Sequence, residues 1–284
     1  MPVKTDGFEI MHGSLNIAQL KTHLEVLYGR YNQPHFIHPD PLEFLFRYPQ
    51  PRDREIVALI ASALAYGRVS QILVSIDKAL DPLGSSPFFF LMSTTKRRLI
   101  HSYIDFRHRF TSGREMATML WGVRRVLMQY GSLEACFHSG MKEDDETVLP
   151  GLSRFVRELW LREHRRCKNT LLPNPEGGSA CKRLNLFMRW MVRKDAVDPG
   201  GWNRVPSSKL VIPLDTHMFK MSRFLNLTDR RRPDMTAALS ITKAFRVCRP
   251  EDPVRYDFAL TRLGIQKGIE TDHFFQGWEG KGRS

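Results

Sequence analysis

Two residues combine the types that lysine–imine chemistry needs with flanks that would hold them in place. Lys182 follows a Pro/Gly-rich turn, Leu172-Pro173-Asn174-Pro175-Glu176-Gly177-Gly178-Ser179, and opens an apolar-periodic run. With Ser179 as N-cap, Lys182 falls at the third helical position. A cation there opposes the helix dipole, and Arg183 beside it adds like charge. Both favour the uncharged amine, as does burial, and an uncharged lysine is the form that builds an imine. The same pattern also fits a solvated lysine on a first helical turn.

Asp215, in Pro213-Leu214-Asp215-Thr216-His217, reads as the N-cap of a helix striped with Met218, Phe219, Met221, Phe224 and Leu225. Backbone N–H groups would keep its carboxylate ionised. A fixed anion there could stabilise positive charge on a sugar or orient a nucleophile, or it could serve as a cap alone. A helix from Lys182 to about Lys194 is roughly 18 Å long, and residues 195–214 are enough chain to run back along it. The two groups can therefore meet across 33 positions.

These segments resemble the helix-hairpin-helix DNA glycosylase superfamily, which includes endonuclease III and the 8-oxoguanine glycosylases. The family pattern is a hairpin LPGxGxKTA, a helix, and VDTHxxRV. The matching residues are Leu172-Pro173, Gly178-Ser179-Ala180-Cys181-Lys182, and Leu214-Asp215-Thr216-His217-Met218-Phe219-Lys220-Met221. The resemblance covers about 50–265 and points to a bacterial branch of the superfamily. It implies that Lys182 is the Schiff-base nucleophile and Asp215 its partner. It also implies double-stranded, damaged DNA as substrate, base-excision repair by a glycosylase with AP-lyase activity, and no metal or other cofactor. Hairpin residues Gly178 and Ser179, with Arg183 and His217 nearby, would contact DNA. The chain departs from the pattern where an insertion, Asn174-Pro175-Glu176-Gly177, lengthens the hairpin and Ala180 replaces its second glycine. Both changes bear on phosphate binding.

The implied fold is all-α, a two-lobed helical bundle with a cleft between the lobes. Residues 1–51 would pack with the C-terminal lobe, 52–170 form the central lobe, 171–270 carry the hairpin and catalytic residues, and 271–284 form a tail. Hydrophobic spacing is helical nearly everywhere and strand signals are few. Helices are expected over 14–31, around Leu42–Phe46, from Ile56 to Ala65 behind an Asp53 cap, and from Val69 to Leu80. Ser112-Gly113-Arg114-Glu115 reads as a capping box for a helix ending at Gly131. Further helices are expected over 152–168, behind an Asp234 cap, and from an Asp252-Pro253 start. The junction Leu64, Tyr66, Arg68 resembles the family's wedge, which fills the gap left by a flipped base. Trp202 could stack on that base or plug its loop onto the core.

The net charge of +13 fits a polyanionic partner, and Arg165, Arg166 and Lys168 could flank a phosphate track or simply satisfy a helix C-terminus. No apolar run is long enough to span a membrane, and the N-terminus lacks an apolar signal core. A cytoplasmic, nucleoid-associated monomer is the expectation. Cys136, Cys167, Cys181 and Cys248 have no CxxC ligand spacing, a reducing compartment disfavours disulfides, and nothing after Cys248 could supply the C-terminal iron–sulfur motif of endonuclease III, so no cluster is expected. Two other functions fit less of the pattern. One is a DNA-binding protein that kept the fold without the chemistry. The other is a metal hydrolase built on His101, Asp105, His108, His217 or Asp272-His273.

Overall fold

Apolar residues spaced three and four apart become the buried stripes of helices, and the described residues are mostly helical, with almost no sheet. The computed structural model describes residues 17–160 and 169–265. Helix α1 (Ile17–Tyr31) buries Leu20, Leu24, Leu27 and Tyr31. A 3-10 segment, Pro41–Arg47, follows, and the Asp40 side chain accepts a bond from Leu42 N at 3.0 Å at its start.

Helix α2 (Pro51–Leu64) is buried on every side from Ile56 to Leu64 and forms the centre of the core. It begins one turn earlier than the sequence predicts, with Gln50 as N-cap and Pro51 in the first turn. Proline suits that position because its φ is preset and its missing N–H would have had no helical partner. Asp53 is therefore not the cap of its own helix. Its Oδ1 accepts from Ser86 Oγ (2.9 Å) and Phe88 N (2.8 Å), which secures the start of α4 (Pro87–Ser93).

Helix α3 (Val69–Leu80) packs against α2. Helix α5 (Lys96–Ser102) leads to two-residue strands, β1 (Arg107–His108) and β2 (Thr111–Ser112), paired antiparallel with Arg109 and Phe110 at the tip. Helix α6 (Gly113–Tyr130) opens on the expected capping box, in which the side chains of Ser112 and Glu115 each accept from the other's backbone N–H. It closes at Gly131 with φ 82. Around α6 pack α4, α5, α7 (Leu133–His138) and α8 (Leu149–Leu159).

Helix α9 (Lys182–Val192) lies against α2. Helix α10 (Thr216–Phe224) packs on α12 (Asp257–Ile265), and α1 packs on both α11 (Met235–Cys248) and α12. Asp234 caps α11 by accepting from Ala237 N at 2.8 Å. Helix α12 starts later than the Asp252-Pro253 pair predicts. The Asp252 carboxylate instead accepts from Arg193 Nε (2.9 Å), an ion pair that outcompetes a cap. One continuous apolar cluster runs from Leu20 to Leu263. At roughly 1.5–3 kcal/mol per large side chain, that burial supplies most of the driving force for folding.

Candidate active site

Lys182 is the first residue of α9, not the third helical residue. Cys181 is the N-cap and holds a left-handed backbone, φ 46, a conformation that costs a non-glycine residue roughly 1–2 kcal/mol. The expected cap is used elsewhere. Ser179 forms an antiparallel bridge with Asp234, and Met235 N donates to Gly178 O at 3.0 Å, which ties the hairpin to α11. The inserted Asn174-Pro175-Glu176-Gly177 folds as one 3-10 turn, Pro175–Gly177, with the Asn174 side chain accepting from Glu176 N at 3.0 Å. Cys181 is buried, its thiol pushed up to about 11 by that burial. Asn185 Nδ2 donates to Ala180 O at 3.1 Å. Buried neighbours on both sides thus fix the direction in which Lys182 leaves the helix.

Asp215 arrives on a buried extended run, Leu210 to Leu214, held by the bond from Ile212 N to Thr242 Oγ1 (3.0 Å). Its Oδ1 accepts from His217 N (2.9 Å) and Met218 N (2.8 Å), so it caps α10. Its Oδ2 stands 3.1 Å from Lys182 Nζ, with the side chains 34% and 25% exposed respectively. Burial pushes the carboxyl up, but the Lys182 charge and the Met218 amide outweigh it and leave Asp215 below its ordinary range. Both groups line a pocket of about 350 Å³. Gly67 and Ile72 form one wall, α9 another, and Asp257 and Phe258 of α12 a third. That volume lies within the range of small-ligand sites.

The other sequence-predicted residues divide. His217 also lines the pocket and is exposed, as are Gly178 and Ser179 on the hairpin. Arg183 does not present a guanidinium to a phosphate. It donates to Ala63 O (2.7 Å) and Thr170 O (2.6 Å) and lies 4.9 Å from the centre of the Tyr66 ring. It is thus a half-buried tie between α2 and the hairpin approach. Leu64 is fully buried and cannot act as a wedge. Tyr66 is half-buried, its hydroxyl donating to His108 O at 2.9 Å, so it too is held within the fold. Arg68 is exposed.

Trp202 does not line this pocket. It sits among Phe137, Phe155 and Phe187 and donates its indole N–H to Glu55 Oε2 at 3.0 Å. It plugs its loop onto the core. Arg165, Arg166 and Lys168 lie outside the described residues. So does Asp272-His273 of the metal reading. His108 is buried, its ring nitrogens bonded to Ser75 Oγ and Tyr66 O, and burial pushes its pKa down. Among the described residues no three His, Cys, Asp or Glu side chains stand close enough to share a metal. No helix there is long and apolar enough to cross a membrane.

Two residues at this site escaped the sequence reading. Phe110, at the hairpin tip, is 74% exposed. Its neighbour Arg109, φ 50, packs so closely on Gly67 that a Cβ there would fall 2.8 Å from its guanidinium. The tip therefore abuts the pocket wall at Gly67. The second is Asp257, buried beside the pocket. Asp252-Pro253 masked it by offering a more conventional helix start, while the isolated Arg-Phe dipeptide carried no periodic signal.

The chain belongs to the family described as protein of unknown function (DUF2400), whose model matches residues 40–266. No curated protein and no solved structure matches it.

Proposed function

We propose that this protein is a DNA glycosylase with AP-lyase activity that removes a damaged base through a lysine imine. The observation that carries the reading is the contact between Lys182 and Asp215 at the wall of an open pocket, across 33 residues of chain. In this reading Asp215, as the carboxylate, orients the uncharged Lys182 amine and stabilises charge on the sugar, and the amine attacks the anomeric carbon of a nucleotide flipped into the pocket. The imine that forms then permits strand cleavage by elimination. The fold would be the two-lobed one of the helix-hairpin-helix glycosylases. Helices α4 to α8 would form one lobe, α1 and α10 to α12 the other, with the α2–α9 pair between them. Phe110 takes over the wedge role, because it is apolar, exposed and next to the pocket wall. The net charge of +13 supports a polyanionic substrate.

Borohydride trapping on abasic duplex DNA tests the reading. Wild-type protein is expected to give a covalent adduct, and Lys182→Gln none, with the melting temperature preserved. Absence of an adduct with wild type sinks the lyase assignment. An adduct that survives in Lys182→Gln moves the nucleophile to another amine.

A further inference from the structure

Beneath the pocket, two guanidiniums meet four carboxylates. Arg189 pairs with Asp198 and Asp257, and Arg193 with Asp195, Asp198 and Asp252. The arrangement carries two more negative charges than positive ones in a buried place. Taking up protons is the least costly relief. The bonding singles out the carboxyl that can hold one. Asp198 gives Oδ1 to Arg189 and Oδ2 to Arg193. Asp252 uses both oxygens on Arg193 Nε. Asp195 accepts from Val197 N and Asp198 N on Oδ1, and from Arg193 and Tyr28 on Oδ2. Asp257 gives Oδ2 to Arg189, and it is the member of the four that lines the pocket. Its Oδ1 is the oxygen left for a bound molecule.

We propose that Asp257 is a second catalytic carboxyl, donating a proton to the departing base in the pocket it shares with Lys182 and Asp215. The inference rests on the glycosylase reading above and adds to it the group that makes the base a competent leaving group. Lys182 nitrogen forms a bond to the anomeric carbon as the glycosidic C–N bond breaks. The bonding pair goes to the base, which takes the Asp257 proton. Asp215 removes a proton from the new C–N ammonium and returns it to the ring oxygen as the sugar opens to the imine. Asp257 is left as a carboxylate and is reprotonated from solvent.

The environments of the two carboxyls differ in the sense this division of labour needs. Asp215 lies below its ordinary range, whereas burial, opposed by Arg189 and reinforced by Asp215 and Asp198, pushes Asp257 up to about 6. Two carboxyls driven apart in this way are the usual mark of an acid and a base in one site. The other charged groups lining the pocket with Asp257 are Lys182, His217 on α10 and the Arg262–Asp40 pair, while Arg193 lies behind Arg189 and Tyr28 of α1 reaches the cluster through Asp195.

The test separates base release from imine formation. Single-turnover base release would be followed on duplexes carrying 8-oxoguanine, uracil or an oxidised pyrimidine, and borohydride trapping on a preformed abasic duplex, which has no base to expel. Asp257→Asn is expected to slow base release by about 100-fold or more and to leave abasic trapping within about two-fold. Wild-type base release should fall as pH rises through about 6, a limb absent from trapping and from the variant. Asp257→Glu should retain the limb. If Asp257→Asn does not fold, the wild-type comparison of the two pH profiles decides. Equal loss of both reactions, loss of neither, or a wild-type base-release profile without the limb overturns the assignment while the imine reading stands. Wild-type trapping without release of any base also overturns it. A wild type that fails to trap abasic DNA removes both readings together.

Discussion

Asp215 holds two jobs on two oxygens, and the division makes its chemistry separable from its structure. Oδ1 caps α10 and Oδ2 faces Lys182. Asparagine can keep the first, because its side-chain carbonyl accepts the same two N–H bonds, but it removes the charge. Asp215→Asn is therefore expected to lower the trapping rate by about 100-fold or more and to cost less than about 1 kcal/mol of stability. Rapid-quench trapping together with chemical denaturation measures both. The variant should also lose one pH response. A carboxyl held below its unfolded value stabilises the fold above the ordinary carboxylate range, and that stability is lost as pH falls through the folded value. A variant that unfolds instead would make the cap, not the charge, the function of this residue. Chain length allowed Lys182 and Asp215 to meet, and the resemblance of the hairpin and of Asp215-Thr216-His217 to the glycosylase pattern singled the pair out. The DNA-contact reading failed at Arg183 and the wedge reading at Leu64, and of the two roles open to Trp202 the fold took the core plug, because sequence gives residue type but not direction. Arg183, one position from Lys182, turns inward to two carbonyls because α9 rotates about 100° per residue.

The long helices were legible because their buried stripes recur at the helical period, as in α1, α3 and α6. Their ends were less so. Asp53 and Asp252 both look like caps, yet each serves a partner distant in sequence, the start of α4 and Arg193. A hydrogen-bond acceptor is claimed by whichever donor the tertiary fold delivers, and local pattern does not report that. The β1–β2 hairpin was invisible because two-residue strands are too short to show alternation. This hairpin nevertheless carries an exposed aromatic ring at its tip, next to the arginine that packs on Gly67 of the pocket wall. In the proposed reading Phe110 occupies the gap in the stack, where base–aromatic contact is worth about 1–3 kcal/mol. Phe110→Ala is expected to weaken binding to an abasic duplex by about 5- to 100-fold and to leave the melting temperature unchanged, since the ring is 74% exposed. Fluorescence anisotropy with matched and abasic duplexes reads the effect. An equal loss on both duplexes would reduce Phe110 to a general contact, and no loss would remove it from the interface.

At the scale of the whole molecule, stability should decline toward alkaline pH although the protein is basic. Glu55 on α2 accepts from Leu133 N (3.0 Å), Glu134 N (3.3 Å) and Trp202 Nε1 (3.0 Å), so one carboxyl joins the central helix, the start of α7 and the loop after α9. Burial pushes it up to about 7, against the pull of these donors. A folded value above the unfolded one means that the native state holds the proton more tightly. Stability is then full below the unfolded value and is lost as pH rises from there through about 7. A shift from 4.5 to about 7 corresponds to about 3 kcal/mol lost across that window. Asp257, raised from 3.8 to about 6, adds a loss of the same sign. Thermal melts between pH 4 and 8 should therefore show a falling midpoint above about pH 5. Glu55→Gln removes the titration but replaces an acceptor with an amide donor opposite N–H groups, at about 1–3 kcal/mol. Its midpoint should lie below wild type at pH 5, and the two curves should converge toward pH 8, the remaining slope belonging to Asp257 together with Asp198 and Asp252, which burial also raises. A Glu55→Gln protein that keeps the full wild-type slope would show that Glu55 is ionised throughout, held so by its three donors.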